Sequence, residues 1–197
     1  MFVARRTNLV LLLLILSTFQ IGCRREQPQT PLEKVRAWAA EGDAGSQWYL
    51  GSYYEEGEVV EQDYMLAEYW YRKAADQGNM DAFLSLGHMY QLGRGLEKNR
   101  IRAIDWYRRA AELGSSEAQA LLSEAYLKGI DVPQDYVAAY QWANLAASEA
   151  NSPSRGDYIK LRESIEQYLT RDQIVEAQRQ ASELDKKIMD KRFERIR

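Results

Sequence analysis

Apolar residues recur along the middle of the chain every 36 residues, in register with small and polar residues. A column here means the residues that hold the same position in successive units. The clearest columns are Leu50, Leu86 and Leu122; Tyr54, Tyr90 and Tyr126; Gly57, Gly93 and Gly129; and Trp70, Trp106 and Trp142. The register holds without a gap, so three copies of one structural unit are predicted between about residues 44 and 150.

Within each unit the apolar residues follow helical spacing twice. In the second unit, residues 80–92 form one such segment and residues 100–113 the other. Gly93 suits the end of the first helix, Asn99 the N-cap of the second and Gly114 its end. Each unit is therefore predicted to be a hairpin of two helices. Because one hairpin cannot bury its own apolar face, the units must stack, and the Trp column is expected to fill the space between them.

The sequence of the second unit resembles the Sel1-like repeat family, a relative of the tetratricopeptide fold. The matching stretches are AFLSLGHMYQLGRGL at 82–96 and AIDWYRRAAELG at 103–114. The resemblance implies an all-α fold, a short right-handed α-solenoid of three 36-residue repeats with capping helices at both ends. The third unit departs from the pattern, since Ser123 and Ala150 stand where both other units have Gly, and Asp131 stands where the second unit has Gly95.

The segments on either side of the repeats are predicted to cap the stack. Residues 32–42 look like a lone second helix, because Ala39 and Gly42 align with Ala75 and Gly78. This helix and the three units give a predicted region of 32–150. The repeat is lost after that, and residues 151–197 are predicted to form closing helices, with Thr170 as the N-cap of the last one.

The N-terminal segment is typical of an export signal. Arg5 and Arg6 precede the apolar run 9–16, which is short for a membrane span. Gly22 before the single cysteine, Cys23, resembles a bacterial lipoprotein signal. We therefore expect a signal peptide over 1–22, a lipidated Cys23 and a tether over 23–31. An uncleaved anchor and an ordinary secreted protein are the alternatives.

The first helices of such a solenoid line its concave side, where a groove is expected. Beside their core stripe lies a second stripe whose residues differ from unit to unit. We interpret these positions as free of packing duty and available to a partner. They are Trp48, Ser52, Glu55, Leu84, His88, Gln91 and Glu124. A solvated face without a ligand is the alternative interpretation.

Composition narrows the chemistry that this chain is expected to perform. One His and one Cys leave no set of residues for a metal cage or a Cys/His pair, so we expect no cofactor, no metal and no catalysis. The adjacent Glu55 and Glu56 point about 100° apart on a helix and cannot flank one substrate bond. His88 is interpreted as a polar contact in the groove. A net charge of −3 argues against nucleic acid as a partner.

Charge is unevenly distributed along the chain. Residues 37–71 hold eight acids and no base, whereas residues 94–109 hold six bases and two acids. Residues 186–197 hold six bases and two acids, a net charge of +4. Such asymmetry either orients a partner or only keeps the surface soluble. A basic terminal stretch either touches anionic headgroups or is a frayed helix end.

Together these features predict a monomeric, non-catalytic adaptor, scaffold or regulator that binds a protein partner in its groove. The lipoprotein resemblance, with Arg24 rather than Asp after Cys23, implies the outer membrane facing the periplasm. The family resemblance also implies an alternative, an immunity protein that neutralises a secreted lipase-type toxin. An envelope enzyme or β-lactam-binding protein is disfavoured, because the paired cysteines of those family members are missing. A spacer without a specific ligand is the remaining alternative.

Overall fold

A computed structural model describes residues 30–148 and 153–196 of the chain. The described residues form helices joined by short loops, with no strand among them. The helices are α1 (Pro31–Glu41), α2 (Ala44–Glu56), α3 (Tyr64–Asp76), α4 (Met80–Leu92), α5 (Arg100–Ala111), α6 (Ser116–Lys128), α7 (Tyr136–Ser148), α8 (Arg155–Glu166) and α9 (Arg171–Ile196).

Consecutive helices pack as three antiparallel pairs, which we call unit 1 (α2 and α3), unit 2 (α4 and α5) and unit 3 (α6 and α7). The second helix of each unit also packs against the first helix of the next, through α3 with α4 and α5 with α6. The predicted all-α solenoid of helical hairpins is confirmed. The surface formed by α2, α4 and α6 is called the first-helix face below.

Each hairpin is delimited by the polar and glycine columns seen in the sequence. The side chains of Asp43, Asn79 and Ser115 accept hydrogen bonds from backbone N–H groups in the first turns of α2, α4 and α6. Those three helices then end at Gly57, Gly93 and Gly129, whose φ angles of 74°, 74° and 64° favour glycine. Asn99 caps α5 through the N–H of Arg102, as predicted.

The core of units 1 and 2 is organised by a glycine on the first helix and a tyrosine on the second. The ring of Tyr71 lies against Gly51, where a Cβ atom would come within 2.6 Å of Cδ1. The ring of Tyr107 lies still closer to the backbone of Gly87. Both tyrosines are almost fully buried. The helices of a unit therefore approach each other only because the first carries no side chain at this position.

Unit 3 replaces both members of this contact at once. Ser123 stands at the glycine position and Ala143 at the tyrosine position, so the missing ring leaves room for the serine side chain. Ser123 is fully buried and donates its hydroxyl to the backbone oxygen of Ala139, 2.8 Å away. The aromatic volume is supplied one turn earlier by Tyr140, which is 1% exposed. The residues that depart from the repeat in unit 3 thus compensate for one another in the core.

The Trp column is less buried than expected, although Trp106 does contact unit 1 through the guanidinium of Arg72, 5.8 Å from its ring centroid. Trp70, Trp106 and Trp142 are only half-buried, whereas the tyrosine next to Trp106, Tyr107, is 2% exposed. Trp106 stacks on Phe83 of its own unit, with ring centroids 5.8 Å apart, and the guanidinium of Arg109 covers it. The tryptophan ring thus packs at the edge of the core, and its polar N–H suits such a half-exposed position.

The segments that flank the units are helical. In α2 the amide of Gln47 donates to the backbone oxygen of Ala39, 3.1 Å away in α1. At the other end α9 packs on α7, burying Ala177 and Ala181, and does not form a hairpin with α8. Thr170 caps α9 through the N–H of Gln173. The terminal helix therefore covers unit 3 in a way that the 36-residue repeat does not contain.

The predicted signal peptide, Cys23 and most of the tether lie outside the described residues. Within residues 30–148 and 153–196, no helix combines the length and apolar character needed to cross a bilayer.

The glycine–tyrosine contact makes Gly87→Ala a destabilising change. An added Cβ would collide with the Tyr107 ring, and overpacking of this kind costs about 1–3 kcal/mol. Gly156→Ala is the matched control, because Gly156 also lies in a helix but its Cβ would meet open space. There alanine is expected to gain up to about 1 kcal/mol. Thermal unfolding measures both; equal effects of the two changes would contradict the assigned contact.

Candidate functional site

A cleft of about 650 Å³ opens on the first-helix face where units 1 and 2 meet. Its walls come from the C-terminal turn of α2, the loop that follows it and the exposed side of α4. The lining residues are Glu55, Glu56, Glu58, Gln62, Tyr64, Ser85, His88, Gln91, Leu92 and Arg94. Three of the predicted groove residues, Glu55, His88 and Gln91, are brought together here.

Glu55 and Gln91 hold the hydroxyl groups of the buried tyrosines. The hydroxyl of Tyr71 donates to Glu55 Oε2 at 2.7 Å, and that of Tyr107 donates to Gln91 Oε1 at 2.6 Å. Burial, reinforced by the charge of Glu55, raises the pKa of Tyr71 far above its ordinary value. Burial likewise raises the pKa of Tyr107. Both phenols therefore stay protonated and keep donating.

The prediction that this stripe is free of packing duty is wrong for Glu55 and Gln91. A buried hydroxyl without an acceptor costs about 1–3 kcal/mol, so each tyrosine requires a polar side chain above it. In unit 3 the same column holds Leu127, and the corresponding second-helix residue is Ala143. This column thus holds a polar acceptor in the two units that bury a tyrosine at this position, and an apolar residue in the unit that does not.

Glu55 has a second partner that crosses from one unit to the next. Its other carboxylate oxygen, Oε1, lies 2.9 Å from Arg94 Nη1, in the loop after α4. The Glu55 side chain is only 13% exposed, so this ion pair is better shielded from water than a surface pair. One carboxylate therefore joins α2, α3 and the loop after α4.

Trp48 and Leu84 also contribute to the packing of the fold. The indole N–H of Trp48 donates to Ser85 Oγ at 3.1 Å, which links the first helices of units 1 and 2. Both side chains are half-buried and pack against the main core. The expectation that they serve only a partner is wrong. Trp48 nevertheless reaches the cleft, because Ser85 is one of its lining residues.

His88 is more exposed in the cleft than Glu55, with 35% of its side chain accessible. Its ring meets the edge of Tyr107, with centroids 5.5 Å apart, and its Nε2 lies 3.8 Å from Glu117 Oε1. No group of three His, Cys, Asp or Glu side chains in residues 30–148 and 153–196 has the arrangement to hold a metal ion. The histidine therefore presents a polar edge to the cleft.

The remaining predicted residues lie outside this cleft. Ser52 donates its hydroxyl to the backbone oxygen of Tyr49. Glu124 pairs with Lys128 at 2.7 Å and lines a smaller cavity of about 230 Å³ between units 2 and 3. That cavity shares Gln91 and Tyr107 with the structural network described above. The seven predicted residues therefore do not form one continuous site.

The sequence analysis missed the loop side of the cleft. Leu92, at the end of α4, is 55% exposed and borders the cleft directly beside the carboxylates. The following turn uses Gly95, at φ 68°, whose backbone lies against the side chain of Tyr64. Gly93, Arg94 and Gly95 fall within the matching stretch 82–96, but that match does not indicate which residues of unit 1 the loop faces.

Comparisons with known proteins place the fold in a family. A family model described as Sel1 repeat matches residues 44–79, 84–115 and 116–151, more than half of the chain. The chain belongs to the Sel1 repeat family. The matched segments coincide closely with units 1, 2 and 3, and the resemblance stated from residues 82–96 and 103–114 is confirmed.

Two solved Sel1-type structures are similar to this chain. One is a Sel1 repeat protein from Oxalobacter formigenes, 36% identical, with a TM-score of 0.59; the match covers 66% of this chain and 97% of that one. The other is c5321, a protective antigen present in uropathogenic Escherichia coli strains, 27% identical with a TM-score of 0.56. It matches over 93% of this chain and 46% of its own length. No curated protein matches significantly.

The bonds of Glu55 make it a stability determinant. Glu55→Ala removes the acceptor of Tyr71 and the partner of Arg94, and we expect a loss of about 1–3 kcal/mol. Glu56→Ala is the matched control, because the neighbouring side chain is exposed. Chemical denaturation measures both. A Glu55 variant as stable as the Glu56 variant would show that these bonds contribute nothing.

Proposed function

We propose that this Sel1 repeat protein is a lipid-anchored adaptor of the bacterial envelope that holds a protein partner at the cleft between units 1 and 2. Sel1 repeat proteins act as protein-interaction scaffolds, and this chain shares their fold. The cleft is the observation that carries the proposal. It combines exposed side chains that the fold does not use, such as Glu56 and Leu92, with a rigid wall built from α4.

The residues of the cleft favour binding over catalysis. Glu55 is held by Tyr71 and Arg94, so it has no free oxygen to exchange a proton with a substrate. The nearby Glu56 and His88 lack a partner arrangement that would activate a nucleophile. An exposed apolar residue bordered by carboxylates and amides is instead suited to a protein segment that brings its own apolar and basic groups.

Anchoring and location are proposed from the N-terminal sequence. Gly22-Cys23 supplies the lipidation site, and Arg24 at the next position favours the outer membrane, facing the periplasm. The remaining chain then stands on the membrane through the tether at 23–31, with the repeats available to soluble or membrane-bound partners.

The anchor is tested by Cys23→Ser. Loss of the lipid is expected to move the protein from the membrane fraction to the soluble periplasmic fraction, with unchanged thermal stability of the repeats. Fractionation with immunodetection measures this, and Ser17→Ala, within the same segment, controls for effects on export. A Cys23→Ser protein that remains in the membrane fraction after export and after a high-salt wash, which releases electrostatic contacts, would contradict lipid anchoring and favour a helical anchor.

The cleft is tested by Leu92→Asp in a quantitative pull-down from native envelopes. A charge at this exposed position spares folding, yet it adds an acid beside Glu56 and removes the apolar contact, so we expect about a tenfold loss of the captured partner. Ile101→Asp is the matched control, being 65% exposed on α5 against 55% for Leu92. A partner retained equally by both variants would place its binding outside the cleft.

A further inference from the structure

The terminal helix α9 has a second face that nothing in the described structure covers. Its buried face comprises Ala177, Ala181 and Ile188, which are at most 3% exposed. On the opposite side, at helical spacing, lie Lys186, Met189 and Phe193, and Phe193 is 62% exposed. An exposed aromatic ring beside a methionine, in the last turns of a helix, is the pattern of an interaction surface.

Positive charge is concentrated on the same turns. Residues 186–197 hold six bases and two acids, a net charge of +4, whereas residues 171–185 hold two bases and four acids, a net charge of −2. Lys186 and Lys187 are exposed, and only Lys191 among the three lysines has a carboxylate nearby, Glu112 at 3.9 Å. Lys186 and Lys187 are therefore available to an external anion.

We propose that this outer face of α9, centred on Lys186, Met189 and Phe193, lies on an anionic phospholipid surface. At such a surface Met189 and Phe193 would insert at the headgroup boundary, while Lys186 on the same face and Lys187 beside it would extend to the lipid phosphates. Charge complementarity selects anionic lipid, because neutral lipid would leave the net charge of +4 without a partner.

The inference rests on the proposed function to the extent that the lipid anchor at Cys23 would hold the chain at a bilayer. Eight residue steps separate Cys23 from Pro31, and a chain of that length spans at most about 28 Å. Pro31 would therefore stay within about 28 Å of the bilayer, and α9 would add a second, weaker contact.

The test is co-flotation of the full chain carrying Cys23→Ser, which cannot be lipidated, with vesicles. Vesicles of phosphatidylcholine are compared with vesicles containing about one third phosphatidylglycerol, for which we expect about tenfold more bound protein at low salt and a sharp decrease at high salt. The N-terminal segment, with Arg5, Arg6 and the apolar run 9–16, also attracts anionic vesicles and is present in every sample, so the contribution of α9 is measured by comparing variants on the same vesicles.

The face is tested with the triple change Lys186→Glu, Lys187→Glu and Phe193→Ser, which is expected to remove most of the phosphatidylglycerol-dependent binding. The matched control places the same types of change elsewhere, at Lys98, Lys160 and Ile101, all of them exposed. Circular dichroism verifies that both variants retain their helices.

Three results would overturn the inference: no dependence on phosphatidylglycerol, equal loss in both triple variants, or self-association by light scattering that disappears with the α9 change. The last result would assign the face to a second copy, through the acidic residues of 37–71. Because these samples lack the lipid anchor and contain no partner protein, failure here leaves the fractionation and pull-down results unaffected.

Discussion

The packing of a tyrosine ring on a glycine backbone is the constraint on which units 1 and 2 depend. Tyr71 and Tyr107 fill the space between the two helices of a hairpin only because Gly51 and Gly87 leave it open. Burying a phenol also buries its hydroxyl, which then requires an acceptor on the neighbouring helix. Glu55 and Gln91 meet that requirement. The core tyrosine therefore determines that the residue above it on the first-helix face must be a hydrogen-bond acceptor.

Unit 3 also buries a tyrosine and provides partners for its hydroxyl, but with different residues. In this unit the partners belong to the closing helices α8 and α9. Without a tyrosine at position 143, the first helix carries Ser123 and the acceptor position becomes Leu127. Tyr140 supplies the ring instead, and its hydroxyl meets Glu166 of α8 at 3.2 Å and Gln178 of α9 at 3.1 Å. The end of the repeat array is thus marked by a buried tyrosine whose polar partners come from the closing helices.

The periodic part of the fold could be predicted from the sequence because each column repeats a requirement of the backbone or the core. Examples are the N-cap at Asn99, the left-handed glycine at Gly93 and the apolar stripes along the helices. What a single column cannot show is which other column it contacts. The burial of Trp106 was overestimated, because size alone does not place a side chain in the core. The structural role of Glu55 was missed, because its partner, Tyr71, lies 16 residues away in the sequence. The loop wall of the cleft at Leu92 depends on tertiary contacts that no local pattern encodes.

The central claim is that the first-helix face is partly dictated by the buried tyrosines, and a double-mutant cycle between Gln91 and Tyr107 tests it most directly. Gln91→Leu alone leaves the hydroxyl of Tyr107 without an acceptor and is expected to cost about 1–3 kcal/mol. Adding Tyr107→Phe removes the unsatisfied group, so the double variant is expected to recover most of that stability. Strictly additive losses would show that the two side chains are independent, and would contradict the account.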